Sequence, residues 1–171
     1  MINKILIFVF VFIFSACTTP KINTFIHTNN EGIFIKNFYN KSVSLHFQNP
    51  SNIQTKLEQK LSQALEQKGL RVVKENADMQ ILLNIVDFRK LMYAQRMSNY
   101  TYTFFYGPFM RVDADVEFEN YFLMQVNLQV IQGVNSQSTS LVARTSYLAG
   151  VSESKEALED KIVTQIISFF Y

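Results

Sequence analysis

The sequence predicts an α+β fold: a mostly antiparallel sheet with two amphipathic helices packed on one face. Three observations predict it. Several stretches alternate between apolar and polar residues, the period of a half-buried strand. Two other stretches repeat their apolar residues at three- and four-residue spacing, the period of an amphipathic helix. The order along the chain is strand, helix, several strands, helix.

The body of the domain is expected to span 32–171, opening near Gly32 with Ile33-Phe34-Ile35 as a short first strand. From Ser42 to Gln48, Val43, Leu45 and Phe47 fall on one face and Ser44, His46 and Gln48 on the other. Asn49-Pro50 then reads as a helix start, because proline at the first helical turn gives up an N–H that would have no partner there anyway. Ile53, Leu57, Leu61, Ala64 and Leu65 form the stripe of that helix, and Gly69 ends it. Leu70 to Val73 and Met79 to Phe88 read as strands. The second is nearly continuous in apolar residues (Ile81, Leu82, Leu83, Ile85, Val86), which predicts a central strand covered on both faces.

The middle of the chain is aromatic. Tyr100, Tyr102, Phe104 and Tyr106 share one face of an extended segment, and Gly107-Pro108 turns it. Met110, Val112, Ala114, Val116 and Phe118 then alternate with Arg111, Asp113, Asp115 and Glu117. Phe122, Met124, Val126, Leu128 and Val130 alternate with Gln125, Asn127 and Gln129, Gly133 to Ser136 is a turn, and Ser140 to Leu148 returns as a strand. A closing helix is capped by Ser152 or Ser154 and buries Leu158, Ile162, Ile166 and Phe169 or Phe170.

The N-terminus points to the envelope of a bacterium. After Lys4, an unbroken apolar run of ten residues extends from Ile5 to Phe14, and Ser15-Ala16 precede Cys17. Ten helical residues reach roughly 15 Å, half of a ~30 Å hydrocarbon layer, so the run is a secretory signal core and not a membrane span. Small residues ahead of a cysteine make a lipobox, which sets residues 1–16 as the signal peptide and Cys17 as the lipidated first residue of the mature chain. Cys17 is the one cysteine of the sequence, so it has no disulfide partner within the chain. Two or three acyl chains on it would give durable attachment to membrane lipid. Thr18 follows, where lipoproteins kept in the inner membrane usually carry aspartate, and this favours the outer membrane. Residues 17–31, poor in periodicity, read as the lipidated N-terminus and tether.

Composition narrows the function. Without the signal, fifteen basic groups face fourteen acidic ones, a net charge of +1 that gives no footprint for nucleic acid. Phosphate loops, paired-cysteine metal spacings, His-Glu-x-x-His and Gly-x-Ser-x-Gly are missing. No enzyme, cofactor or metal is therefore expected. His27 and His46 read as solvated side chains, and Asp113, Asp115 and Glu117 as the wet face of a strand beside Arg111. The aromatic hairpin admits two roles. Its apolar face can pack under the helices, or Tyr100, Tyr102, Phe104 and Tyr106 can contact membrane or neighbouring subunits, which in a bilayer requires a closed ring of copies.

The stretch from Lys41 through Asn49-Pro50-Ser51, Leu57, Leu61, Leu65, Lys68-Gly69-Leu70 and Val72-Val73, continued by Ala77 to Val86, resembles the TraT family of outer-membrane lipoproteins. The lipobox agrees, and Ser152 to Ile167 is similar to that family's closing helix. The resemblance covers roughly 17–90 and 141–171. It departs in the middle, where the family carries a long glycine- and alanine-rich insertion and residues 91–140 are shorter, aromatic and poor in glycine. It implies a homo-oligomeric surface lipoprotein that blocks redundant conjugative mating and protects against complement, with no catalytic residues. The rival reading is a periplasm-facing accessory or ring subunit of an envelope secretion or assembly machine, with other envelope proteins as partners.

Overall fold

The computed structural model describes residues 22–29, 32–96, 102–106, 110–114 and 116–171, with 93–96, 102–106, 110–114 and 116–119 described through their backbone. The fold is α+β, as the sequence predicts. Eight strands are β1 (Thr24–Thr28), β2 (Ser42–Gln48), β3 (Arg71–Val72), β4 (Met79–Arg96), β5 (Tyr102–Tyr106), β6 (Met110–Ala114), β7 (Val116–Gln132) and β8 (Asn135–Thr145). Two helices are α1 (Leu57–Gln67) and α2 (Val151–Ser168). Six strands form one sheet in the order β1-β8-β7-β4-β2-β3, and β5 and β6 pair separately. The β1–β8, β8–β7 and β7–β4 pairings are antiparallel, whereas β2 runs parallel to both β4 and β3.

Both helices cover the same face of the sheet. Leu57, Leu61 and Leu65 of α1 and Leu158, Ile162 and Ile166 of α2 pack onto Val43, Ile81, Leu83, Ile85, Val126 and Leu141 in one continuous core. No helix among the described residues is long and apolar enough to cross a bilayer.

A bulge sets the geometry of the longest strands. The ladder between β4 and β7 shifts register between Ile85 and Asp87, leaving Val86 unpaired. Up to the bulge the odd-numbered Met79, Ile81, Leu83 and Ile85 face the helices. Beyond it the parity reverses, and Phe88 packs on the core with its ring 5.6 Å from that of Phe122. The apolar run in β4 therefore records a change of face. It does not mark a strand covered on both sides, because the helices lie on one face and Leu82 and Val86 are half-buried on the other.

Several boundaries differ from the sequence reading. Thr24–Thr28, within the segment read as tether, is an edge strand on β8. Its own alternation is weak, and its pairing is fixed by a strand more than a hundred residues away. Ile33 and Ile35 are buried as expected but form no strand. Ile35 makes a single parallel bridge to Phe170, with its N–H 2.9 Å from the Phe169 carbonyl. The segment predicted as one strand from Met110 to Phe118 divides between β6 and β7 at residue 115. Asn49-Pro50 makes a turn and not a helix start: Asn49 Oδ1 accepts from the Ile53 N–H at 3.1 Å while its Nδ2 donates to the Ile53 carbonyl at 2.7 Å. Neither Ser152 nor Ser154 caps α2. Gly150 holds the cap position, and Ser154 is buried in the helix with its hydroxyl unpaired.

The C-terminus of α1 is closed by Gly69 at φ +95°, which lets its N–H reach the Glu66 carbonyl and the Leu70 N–H reach the Leu65 carbonyl, a Schellman arrangement. The N-terminus of α1 is held from the other helix. Glu159 of α2 is 2% exposed and accepts at Oε1 from the Thr55 hydroxyl (2.7 Å) and the Lys56 N–H (3.2 Å). Its Oε2 meets Lys60 at 3.3 Å, and Lys60 also reaches Asp160 at 2.7 Å. Burial alone would lower the pKa of the Lys60 ammonium. The hydrogen bond and charge of Asp160, aided by Glu159, outweigh it and hold the group above its ordinary range. Glu159 thus satisfies orphan donors at the start of α1 and ties the two helices together.

Two predictions follow from these clamps. Glu159→Ala is expected to lower the unfolding free energy by about 2–3 kcal/mol in urea titration, because charged hydrogen bonds are lost and buried donors are stranded. Glu159→Gln should lower it less, since the amide oxygen still accepts. The second concerns Asp78, whose Oδ2 accepts from the N–H of Ser42 at 2.8 Å and from its hydroxyl at 2.6 Å. These bonds hold the carboxyl below its ordinary value of 3.8. A carboxyl depressed by folding stabilises the folded state above its unfolded pKa, and that contribution is lost as pH falls through the folded pKa. Ser42→Ala should therefore reduce stability near neutrality and flatten its decline below pH ~4. Midpoints of denaturation measured from pH 7 to pH 2 check both effects.

Candidate functional site: two uncharged rungs on the open face of the sheet

The face of the sheet opposite the helices carries no cover among the described residues. Register aligns its side chains into rungs, because residues paired across strands point to the same side. One rung runs Gln48, Asn84, Asn127, Ser140 across β2, β4, β7 and β8, and the next runs His46, Leu82, Gln129, Ser138. At about 4.8 Å per strand spacing, each rung is roughly 15 Å wide. Together they line a shallow concavity of about 420 Å³.

The chemistry of this surface is uniform. Seven of the eight rung positions are amide, hydroxyl or imidazole side chains, one is Leu82, and none carries an acid, a lysine or an arginine. Gln129 Nε2 donates to Ser136 Oγ at 2.8 Å and Gln125 Nε2 to Ser140 Oγ at 3.3 Å, which fixes the outer amides. Asn84 is different. Its Oδ1 is buried and has no hydrogen-bond partner. A buried acceptor left unpaired is unfavourable, and here it sits at the centre of a polar hollow. The arrangement can donate and accept hydrogen bonds in a fixed pattern, and it suits an uncharged ligand rich in hydroxyl or amide groups.

The residues singled out from sequence are placed as follows. Cys17 and Tyr100 lie outside the described residues. Tyr102, Phe104 and Tyr106 belong to β5, where register sets them opposite Ala114, Val112 and Met110 of β6. Asp113 belongs to β6 and Glu117 to β7, opposite Gln95, and Asp115 lies outside the described residues. His46 is exposed at the concavity, 3.4 Å from Ser44 Oγ, and His27 is exposed on edge strand β1. The open face itself was not singled out. Its signal is nonetheless in the sequence: the rung residues His46, Gln48, Asn127, Gln129, Ser138 and Ser140 of β2, β7 and β8 are uncharged where an ordinary wet strand face would mix in Lys and Glu.

No protein-family model matches the chain, and no curated protein matches it. Among solved structures, the chain is similar to the PelC dodecamer from Paraburkholderia phytofirmans at 11% identity, over 84% of this chain and 97% of that one, with a TM-score of 0.48. It is similar to a minor lipoprotein from Acinetobacter baumannii at 15% identity, over 75% and 90%, with a TM-score of 0.45. A third likeness is to rare lipoprotein B from Shewanella oneidensis, at 14% identity over 73% and 86% with a TM-score of 0.34. Likenesses at these identities and scores assign no function.

Asn84→Leu tests the energetic side of the site. Removing an unsatisfied acceptor and enlarging the apolar floor beside Leu82 should raise stability by about 1 kcal/mol, read as a higher thermal midpoint. A lower midpoint would show that Asn84 is already satisfied.

Proposed function

We propose that the protein is a lipid-anchored lipoprotein of the bacterial envelope that works by binding and not by catalysis. Cys17 carries the diacylglycerol, the outer membrane is the site of attachment, and the chain assembles as a homo-oligomer. The observation that carries the binding half of this reading is the pair of uncharged rungs around Asn84. They offer a ligand a fixed pattern of donors and acceptors, with the anchor holding the body at the bilayer.

Two roles fit such a protein. An accessory or ring subunit of an envelope secretion or assembly machine is favoured by the middle of the chain. There, β4 and β7 continue as a paired arm from Lys90–Phe122 to Arg96–Val116. A paired arm presents strand edges and faces to neighbouring subunits. The TraT-type role, surface exclusion in conjugation and resistance to complement, is favoured by the resemblance over 17–90 and 141–171. It loses support where that arm stands in place of the family's glycine- and alanine-rich insertion.

Deletion of the gene distinguishes the two. The subunit reading expects unchanged mating efficiency and unchanged serum survival. It also expects the protein to resist protease on whole cells and to become sensitive once the outer membrane is opened. Raised mating with loss of serum survival would favour the TraT-type role instead. Native mass spectrometry of the detergent-extracted protein should show an oligomer, and a monomer at every concentration would remove the ring.

A further inference from the structure

One end of the sheet gathers three features. The described part of the chain begins there: Asn23 accepts the Ser146 N–H at its carbonyl (2.9 Å), and Thr24 pairs with Thr145. The β4–β7 arm leaves from the same end, because Arg144 pairs with Leu123 and Leu123 with Arg89, and the arm continues past that row. The third feature is apolar. Phe25, Tyr147, Leu148 and Val151 are each more than 40% exposed, and all lie at or just beyond the ends of β1 and β8. Arg144 sits among them with its guanidinium carbon 4.9 Å from the Phe25 ring centroid and 5.3 Å from that of Tyr121.

We infer that this end is a membrane-docking surface whose occupant is the lipid bilayer itself. The inference rests on the proposed acylation of Cys17 and adds to it which part of the fold meets the lipid. Reach decides between the two ends of the molecule. Five residue steps separate Cys17 from Ile22, and a fully extended chain covers at most about 18 Å over that interval. The opposite end also exposes aromatic residues, Phe34, Tyr39 and Tyr171. Phe34 donates its N–H to the Gln137 side chain at 2.9 Å, so this end lies eight residues of β8 from Thr145, roughly 26 Å. A lipid on Cys17 therefore excludes a molecule standing on the Phe34 end and leaves the Phe25–Val151 end as the one that can rest on the bilayer.

The chemistry of the surface fits the same occupant. Aromatic and aliphatic side chains enter the boundary between headgroup and acyl chain, and an arginine stacked between two rings presents its charge to lipid phosphate while its stem stays on apolar surface. The orientation sends the β4–β7 arm toward the bilayer, where its free edges need the arms of neighbouring copies in the proposed oligomer, and it leaves the Asn84 concavity on a side wall, open to ligand.

The chain has no tryptophan, so a single introduced indole is a clean reporter. Leu148→Trp and Phe25→Trp each place one at the proposed surface, and Val134→Trp places one at the turn of the opposite end. The full-length acylated proteins are reconstituted into vesicles of phosphatidylethanolamine and phosphatidylglycerol containing brominated acyl chains. The indoles at 148 and 25 should shift to the blue and lose emission to bromine, while that at 134 does neither. Acylated protein that floats with the vesicles but leaves 148 and 25 as unquenched as 134 overturns the docking surface alone. Shielding of 148 and 25 from acrylamide in detergent without lipid that is lost on dilution at fixed detergent concentration overturns it in favour of a second copy as the occupant. Absence of acyl mass on Cys17 overturns the anchor, and the docking with it.

Discussion

β4 and β7 stay paired from Gln80–Ile131 to Arg96–Val116, and most of the molecule follows from that one ladder. Strands of 18 and 17 residues are far longer than the roughly 5–6 that a sheet of this size ordinarily uses. Their first halves form the centre of the sheet, with β2 docked on one side and β8 on the other. Their second halves run on, after the sheet has ended, as an arm of roughly 20 Å. The unpaired Val86 lies between the two regimes. By reversing parity it keeps Phe88 on the core after the odd-numbered residues have left it, so a single strand serves both body and arm.

The same ladder builds the open face. Since the helices occupy one side, every second residue of β2, β4, β7 and β8 is directed away from them. Register turns these residues into rungs and not a scattered polar surface. Asn84 sits at the crossing of a rung with the longest ladder, and its acceptor is left without a partner. The helix side carries the Glu159 clamp, with two donors from a segment a hundred residues away. The open side is left available for binding.

Much of this was legible in the sequence where periodicity was clean. Val43, Leu45 and Phe47 face the core as their alternation requires, as do the α2 residues Leu158, Ile162 and Ile166. The α+β class and the placement of both helices on one face followed from those patterns. What was not legible depended on partners distant in the chain. The weakly alternating β1 becomes a strand through β8. The expected start of α1 at Asn49-Pro50 fails because the Asn49 side chain closes a turn on Ile53, and the true start at Leu57 relies on Glu159. The unbroken apolar run through Val86 looked like a strand buried on both sides because a bulge leaves no mark in composition. The rungs leave no mark along the chain for a related reason. Each strand shows only one or two of their residues, and only the register joins Gln48 to Asn84, Asn127 and Ser140.

The proposed anchor would join these parts: a lipid on Cys17 would hold one end of the sheet near the bilayer, the end from which the β4–β7 arm leaves. The central claim is the acyl bond itself, and the mass of the mature N-terminal peptide isolated from cells tests it most directly. The account predicts a peptide that begins at Cys17 and carries diacylglycerol on its sulfur. A peptide that begins elsewhere, or a Cys17 with a free thiol, would contradict it.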